Sequence, residues 1–279
     1  KTSLNVQEVA PVLGGRFPKY VKPYIFSVAP NIEVNGMVDL DNTKKKINTD
    51  LLVSVNAPGN MNWMLFGVDF TFVKPQAKLT FKDRDMRVDM TKSGMFNGSF
   101  SGWLTMDLRE QDPRYQTKFN LKGIDFKKFM KTCFKVEQSS GTMNAWADLK
   151  GRLNQLRTIQ GSGGLKVRDG YLLSIPFLGG LSTFLSEIIP DWGHALASDA
   201  DSEFNVSKGK VWTKKLDIYS TNFTLIGDGN YDYVDDDLGL HMRVNVRGLP
   251  GVFLFPVSKL FEYKGTGPLN ETKWTPVNF

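Results

Sequence analysis

The chain has 279 residues with a formal net charge of +6, and 41% of its residues are hydrophobic against 23% charged, which is typical of a globular protein. Its single cysteine, Cys133, excludes an intrachain disulfide framework and a cysteine metal cage. No apolar run approaches the ~18–20 residues that a membrane-spanning helix needs. The positive charges are dispersed and form no basic stripe with interleaved aromatic residues, so nucleic acid is not an expected partner.

The first part of the chain reads as a lead-in followed by hairpins. Residues 1–22 contain Pro11, Gly14 and Pro18 and show no clear period. From residue 23 to residue 122, apolar and polar residues alternate in short runs at 47–55, 86–90, 100–108 and 115–121. Such alternation is typical of antiparallel strands with one apolar face.

Turn residues separate these runs. They are Asp41-Asn42, Pro58-Gly59-Asn60, Asp83-Arg84-Asp85, Gln111-Asp112-Pro113 and Asp235-Asp236-Asp237. Short polar turns of this kind connect neighbouring antiparallel strands. We predict a mainly β protein of about a dozen strands, forming an elongated, curved antiparallel sheet with two short helices.

The two helices are predicted at 124–131 and 176–189. The first follows a strand in the stretch LKGIDFKKFM at 121–130. In the second, Phe177, Leu181, Phe184, Leu185 and Ile188 recur at helical spacing. Ser174 precedes this run as a plausible N-cap. Pro176 stands in its first turn, and Pro190 stands at its end.

Around and after the second helix the chain again predicts strands. A glycine-led strand and the turn Asp169-Gly170 precede this helix, and the turns Lys208-Gly209 and Asp228-Gly229 follow it. The clearest strand is 238–246, where residues of even number, from Leu238 to Val246, are apolar. We divide the chain into 1–22, a hairpin region 23–122, and a region 123–279 that continues the same sheet.

The order of these parts resembles the C-terminal region of AsmA-like proteins, a superfamily of the bacterial envelope that includes TamB. The resemblance is carried by GSGGLKVRDGYLLSIPFLGGLSTFLSEIIP at 161–190 and by the closing GTGPLNETKWTPVNF at the end of the chain. It covers residues 118–279, with weaker similarity before them. No single motif is specific, and the ordered series carries the resemblance.

The resemblance implies an envelope protein that handles lipids, in phospholipid transport or outer-membrane assembly. It further implies a periplasmic or envelope location and an N-terminal anchor in the inner membrane, which this sequence does not include. Under this interpretation the partner is a phospholipid or another acyl lipid, and an envelope protein is a further partner.

A sheet with one apolar face can bind acyl chains along an open groove, and the same alternation can equally build an ordinary closed core. If the groove exists, its wall is expected to include residues from alternating strands and from the second helix. These are Leu104, Met106, Leu181, Leu185, Leu240, Met242 and Val244. The alternative is a scaffold module that binds a protein partner through an exposed sheet edge.

Catalytic and metal-binding patterns are weak, so we do not expect an enzyme, a cofactor or a metal ion. His241 lies on the polar side of a predicted strand, and His194 lies in a predicted loop. Residues 98–102 do not have the spacing of a nucleophile elbow. Asp235-Asp236-Asp237 lacks the ligand spacing of a calcium loop and is interpreted as a solvated turn.

Overall fold

The computed structural model describes residues 2–3, 22–37, 49–65, 67–172, 177–178, 181, 197–221, 223–246 and 261–277. Its strands are β1 Thr2–Ser3, β2 Tyr24–Phe26, β3 Asn31–Met37, β4 Asp50–Asn56, β5 Asn60–Leu65, β6 Val68–Lys82, β7 Asp85–Met95, β8 Gly98–Asp107, β9 Arg114–Asp125, β10 Thr142–Arg152, β11 Gln155–Arg168, β12 Ala197–Ser207, β13 Lys210–Ser220, β14 Phe223–Asp232, β15 Asp237–Val246, β16 Glu262–Gly267 and β17 Lys273–Pro276. Helix α1 is Phe126–Phe134, and Leu269–Glu271 form a 3-10 turn.

The mainly β prediction is confirmed, and each strand register that the structure describes is antiparallel. The helix predicted at 124–131 is present as α1. The helix predicted at 176–189 lies mostly outside the described residues, where only Phe177, Leu178 and Leu181 are described, in helical conformation. The curvature of the sheet and the open groove stay predictions.

The chain forms two compact units. The first unit comprises Lys1–Ile124 with Lys150–Asn154, and the second comprises Asp125–Leu149 with Gln155–Phe279. The domain boundaries expected from the sequence, after residues 22 and 122, stay predictions.

In the first unit, the strands pair in the order β3-β4-β6-β7-β8-β9. Strand β6 is long enough to have two partners on one side, because β5 pairs with its first half and β4 with its second. The change of partner coincides with Lys74, which has a φ of 47°, and with a register shift between Val73 and Gln76. This bulge lets β2, through β5, join the same sheet.

In the second unit, β11 to β17 pair in chain order as an antiparallel meander. Two glycines allow the backbones of neighbouring strands to approach each other closely. A Cβ on Gly161 would lie 2.0 Å from the Asp148 carbonyl oxygen, and one on Gly229 would lie 2.2 Å from that of Gly239. Both glycines have φ values near +150°, which side chains rarely permit.

Helix α1 opens the second unit and has well-defined caps. The Asp125 carboxylate accepts a hydrogen bond from the backbone N–H of Lys128, as an N-cap does. At the other end Lys135 adopts the left-handed conformation, with a φ of 61°. Phe126 and Met130 are buried, so this face of α1 packs into the protein.

Candidate functional site

The first unit presents one apolar sheet face, which we call the open face. It is built from alternate side chains of β3, β4, β6, β7, β8 and β9, brought into three rows by the strand registers. The rows are Leu51, Phe81, Met86, Met106 and Tyr115; Val34, Val53, Leu79, Val88, Leu104 and Thr117; and Ile32, Val55, Ala77, Met90, Gly102 and Phe119.

None of the residues in these three rows is fully buried. All are half-buried except Val34, which is 57% exposed. None of them carries a charge, and the Thr117 hydroxyl donates a hydrogen bond to the backbone oxygen of Trp103 over 2.9 Å. Among the described residues, these uncharged side chains each keep part of their surface in contact with water, although burying that surface would be favourable.

The opposite face of the same strands is largely polar. There the Arg87 guanidinium bonds the Asp89 carboxylate over 2.7 and 2.8 Å and lies 5.0 Å above the ring of Trp103. Lys78 and Gln116 are exposed on this side. The two faces therefore differ in polarity, as the alternation in the sequence predicts.

One end of the open face is buried by an aromatic cluster. Met61, Phe72 and Met95 form its buried centre. Phe72 and Phe100 meet edge to face with ring centroids 5.3 Å apart, and partly buried aromatic residues of β2 and β5 pack around them. The third row lies against this cluster, since Met90 packs on it and Phe119 stacks on Phe100 with ring centroids 6.0 Å apart.

The open face is wide enough for an extended hydrocarbon. The second and third rows each cross six strands, and five inter-strand spacings of ~4.8 Å give a width of about 24 Å. One acyl chain spans about 15 Å of a bilayer, half of the ~30 Å hydrocarbon core. A row of this face is therefore longer than one extended acyl chain.

The second unit has a corresponding apolar face, which we call the closed face. Its registers align Val167, Ala200, Ile218, Leu225 and Val244 in one row, and each is buried. Leu178 and Leu181 are also buried. The indole Nε1 of Trp274 donates a hydrogen bond to the carbonyl oxygen of Phe177, the residue before Leu178, over 2.8 Å. In contrast with the open face, this one contacts little water.

The seven residues predicted to touch lipid fall into different environments. Leu104 and Met106 lie on the open face and are half-buried. Leu240, Met242 and Val244 lie on the closed face and are 6%, 0% and 2% exposed, and Leu181 is 1% exposed. Leu185 lies outside the described residues. The lipid contact of these residues stays a prediction.

The candidate list omitted the residues that neighbour Leu104 and Met106 on the open face. Leu79 and Phe81 of β6 and Met86 and Val88 of β7 extend the same rows. The alternation in AKLTF at 77–81 was a signal that could have identified two of them. Their alignment with Leu104 could not be read from the sequence, because it depends on the strand registers.

Titratable groups do not converge on a catalytic arrangement in the described part of the chain. His241 lies 3.6 Å from the Asp228 carboxylate and 3.7 Å from that of Glu262, on an exposed side of β15. Burial raises the pKa of the Cys133 thiol to about 11, so the thiol is protonated at neutral pH. No described group of three or more His, Cys, Asp or Glu residues could hold a metal ion.

The acidic turn at 235–237 makes hydrogen bonds within the protein. Asp235 accepts two hydrogen bonds from the Arg157 guanidinium over 2.9 Å. Asp236 accepts one from the Tyr231 hydroxyl, and burial together with this bond raises the pKa of Tyr231 to about 12. The turn thus serves to connect strands of the second unit.

Comparison with known proteins gave one match. Residues 74–174 match the model of the AsmA family, a range that contains β7 to β11 and α1 and overlaps the resemblance seen at 118–279. No curated protein and no solved structure matched the chain. In the part of the chain that the structure describes, no helix is both long and apolar enough to cross a membrane. The match at 74–174, together with the antiparallel sheet, identifies an AsmA-like region in this chain.

Proposed function

We propose that the chain is a non-enzymatic lipid-handling protein of the bacterial envelope, and that its open face binds the acyl chains of phospholipid. The observation that carries the proposal is the charge-free, half-exposed face of six strands in the first unit. Strands β7, β8 and β9 of this face lie within the AsmA-like region. The AsmA family is associated with the bacterial envelope.

Binding would be driven by removal of apolar surface from water. Burial contributes about 25 cal/mol for each Å² of apolar surface. The side chains of the open face include Met86, Met90 and Met106, whose flexible thioethers adapt to chains of different shape. The polar opposite face leaves the other side of the sheet in water, so a lipid can be held on one side only.

The proposal extends to phospholipid transport or outer-membrane assembly in the periplasm, with an N-terminal anchor in the inner membrane. Family resemblance supports this part. Protease treatment of spheroplasts tests it, since a periplasmic protein is digested without lysis of the inner membrane. Protection of the protein until lysis would contradict it.

The central experiment is site-specific photocrosslinking in cells. A photoreactive phenylalanine analogue at Leu104 is expected to give lipid adducts, which mass spectrometry of an organic extract identifies. The matched control is Thr105, the next residue on β8, whose side chain points to the opposite face. Equal adducts at the two positions, or only trace lipid in repeated preparations, would contradict the proposal.

The alternative function is a scaffold that binds a protein partner at a sheet edge. It is favoured by β3, where Val34 is 57% and Met37 72% exposed. Among the described strands, β3 pairs beyond β4 only with the two residues of β1. Under this alternative, an analogue at Met37 gives protein adducts while Leu104 gives no lipid adducts.

A further inference from the structure

Helix α1 carries a basic surface next to an exposed aromatic ring. Its four lysines, Lys127, Lys128, Lys131 and Lys135 (the last at the C-cap), are exposed, and Lys131 is 63% exposed. At 3.6 residues per turn they fall within an arc of about 100°. Phe134, 42% exposed, lies at the border between this arc and the buried face of α1.

The spacing of the lysines places like charges next to one another on the helix. Lys127, Lys131 and Lys135 follow one another at i, i+4 and i+8, and like charges four residues apart destabilise a helix. Residues 125–137 contain four lysines and two carboxylates, Asp125 and Glu137, so the segment has a net charge of +2 (4 − 2). Asp125 is used as the N-cap, and Glu137 pairs with Lys131 over 2.8 Å.

Elsewhere in the described residues many arginines are matched with acids. Arg87 pairs with Asp89, Arg168 with Asp201, and Arg243 with Glu262, at 2.6 to 2.9 Å. These pairs place opposite charges side by side on the strands. The surface of α1 instead concentrates one sign of charge, which suits an external partner of the opposite sign.

We propose that α1 docks this protein on the surface of an anionic phospholipid bilayer, with its lysines at the headgroups and Phe134 at the level of the interface. The apolar face of α1 packs into the protein, so docking would rest on the attraction of the lysines to anionic headgroups, with Phe134 as the one apolar contact. The anionic bilayer is favoured over duplex nucleic acid because Phe134 can enter the apolar side of the interface, whereas the outside of a duplex presents mainly phosphate and sugar to a ring at this position. Docking is separate from acyl-chain binding by the open face.

The experiment is co-sedimentation of the purified chain with vesicles. Vesicles of equal parts phosphatidylcholine and phosphatidylglycerol should bind it, and vesicles of phosphatidylcholine alone should not. The triple variant Lys127→Gln, Lys131→Gln, Lys135→Gln should lower the partition coefficient on the order of a hundredfold, since each lysine near an anionic surface contributes about fivefold. Binding of the unchanged chain should also weaken as salt is raised.

Two further variants separate docking from nonspecific charge and from unfolding. Lys78→Gln, Lys92→Gln, Lys214→Gln removes three exposed strand lysines and should lower partitioning much less. Phe134→Ala should lower it severalfold while leaving the salt dependence intact. The triple α1 variant should melt close to the unchanged chain, because the repulsion that it removes offsets the loss of the exposed Lys131–Glu137 ion pair.

Several results would overturn the inference. Equal binding to neutral vesicles, or an equal loss in the strand-lysine variant, would assign binding to the chain as a whole. Tighter binding to duplex DNA than to anionic vesicles at the same salt, lost in the α1 variant, would assign this surface to nucleic acid. A different outcome concerns the proposed function alone. If the analogue at Leu104 gives no lipid adducts while the chain still docks on vesicles, the proposed function is contradicted and the docking inference stands.

Discussion

The open and closed faces are built from the same sequence pattern and end in different environments. On the closed face, Ile218, Leu225 and Met242 are 1%, 0% and 0% exposed. On the open face, the corresponding central residues Leu79, Val88 and Leu104 are only half-buried. Alternation therefore establishes that a face is apolar, and tertiary packing decides whether it is covered.

Glycines on the closed face allow long side chains to lie close to the backbone of the neighbouring strand. On the closed face, the Met242 side chain reaches over Gly227, where an added Cβ would lie 2.2 Å from its sulfur. The ring of Trp274 lies over Gly265 in the same way, at 2.9 Å. The open face also has such a position at Gly102, where an added Cβ would lie 2.9 Å from the Cβ of Phe119, whereas its row from Leu51 to Met106 carries a bulky side chain on each of these four strands.

The largest effect should come from charging the two faces. Met242→Glu places a carboxylate in a fully buried position and should cost more than about 4 kcal/mol of unfolding free energy, unfolding the second unit. Met106→Glu, at a half-exposed position, should cost about 1 kcal/mol and abolish lipid crosslinking instead. Denaturant unfolding followed by circular dichroism measures the unfolding free energy of the two variants, and crosslinking at Leu104 measures the retained lipid.

Leucine variants at the same two positions are the controls. Met242→Leu and Met106→Leu preserve volume and should each cost less than about 1.5 kcal/mol. A stable, folded Met242→Glu protein that has lost lipid would instead make the closed face part of the binding surface, as the sequence-based list predicted.

Within the first unit, a smaller contrast is expected between Phe72 and Phe81. Phe72→Ala removes a 3% exposed ring from the aromatic cluster and should cost about 3–5 kcal/mol. Phe81→Ala removes a half-exposed ring and should cost about half as much. Equal losses, measured by denaturant unfolding, would mean that the open face is covered in solution.

A backbone contrast tests the closed face on a scale of about 2 kcal/mol. Gly229→Ala forces a side chain into a φ of +151° and against the Gly239 carbonyl oxygen, and it should cost at least about 2 kcal/mol. The control is Gly239→Ala on the facing strand, where the nearest atom to the added Cβ is 3.7 Å away. If thermal melting shows both variants to be alike, the close approach of β14 and β15 does not determine stability.

The sequence was sufficient to predict local elements whose signals are local. The strand predicted at 238–246 is present as β15, Asp237–Val246. Its apolar residues at every second position and the acidic turn before it were sufficient to predict it. The helix predicted at 124–131 begins slightly later, at Phe126, because the carboxylate of Asp125 caps the backbone N–H of Lys128. In both places the side chains that define the element lie within or next to it.

Two features could not be predicted, because they depend on distant parts of the chain. The exchange of partners along β6 requires a positive φ at Lys74, a residue that gives no sign of this conformation. Among the candidate lipid contacts, Leu104 and Met242 both occupy apolar positions in alternating strands, and only the structure separates half-exposed from buried. The predicted list therefore mixed residues of both faces.

The smallest expected effect concerns pH and should be confined to the second unit. The side chain of Asp232, 5% exposed, accepts hydrogen bonds from the backbone N–H groups of Asp235 and Val234, and the side chains of Arg157 and Lys210 lie 3.9 and 3.8 Å away. The bond from Asp235 contributes most to lowering the pKa of this carboxyl below its usual range, and the other three groups lower it further. The carboxylate form is therefore favoured in the folded state.

A depressed folded-state pKa means that Asp232 stabilises the protein above its unfolded pKa of about 3.9, and that this stability is lost as pH falls through the folded pKa. Asp232→Asn should melt below the unchanged protein at pH 7, and the difference should shrink at pH values below about 4. Hydrogen exchange provides the internal control, since peptides from β14 and β15 should lose protection while those from β7 and β8 do not. A difference in melting temperature that persists at pH 2 would show that Asp232 acts through the shape of its turn and not through its charge.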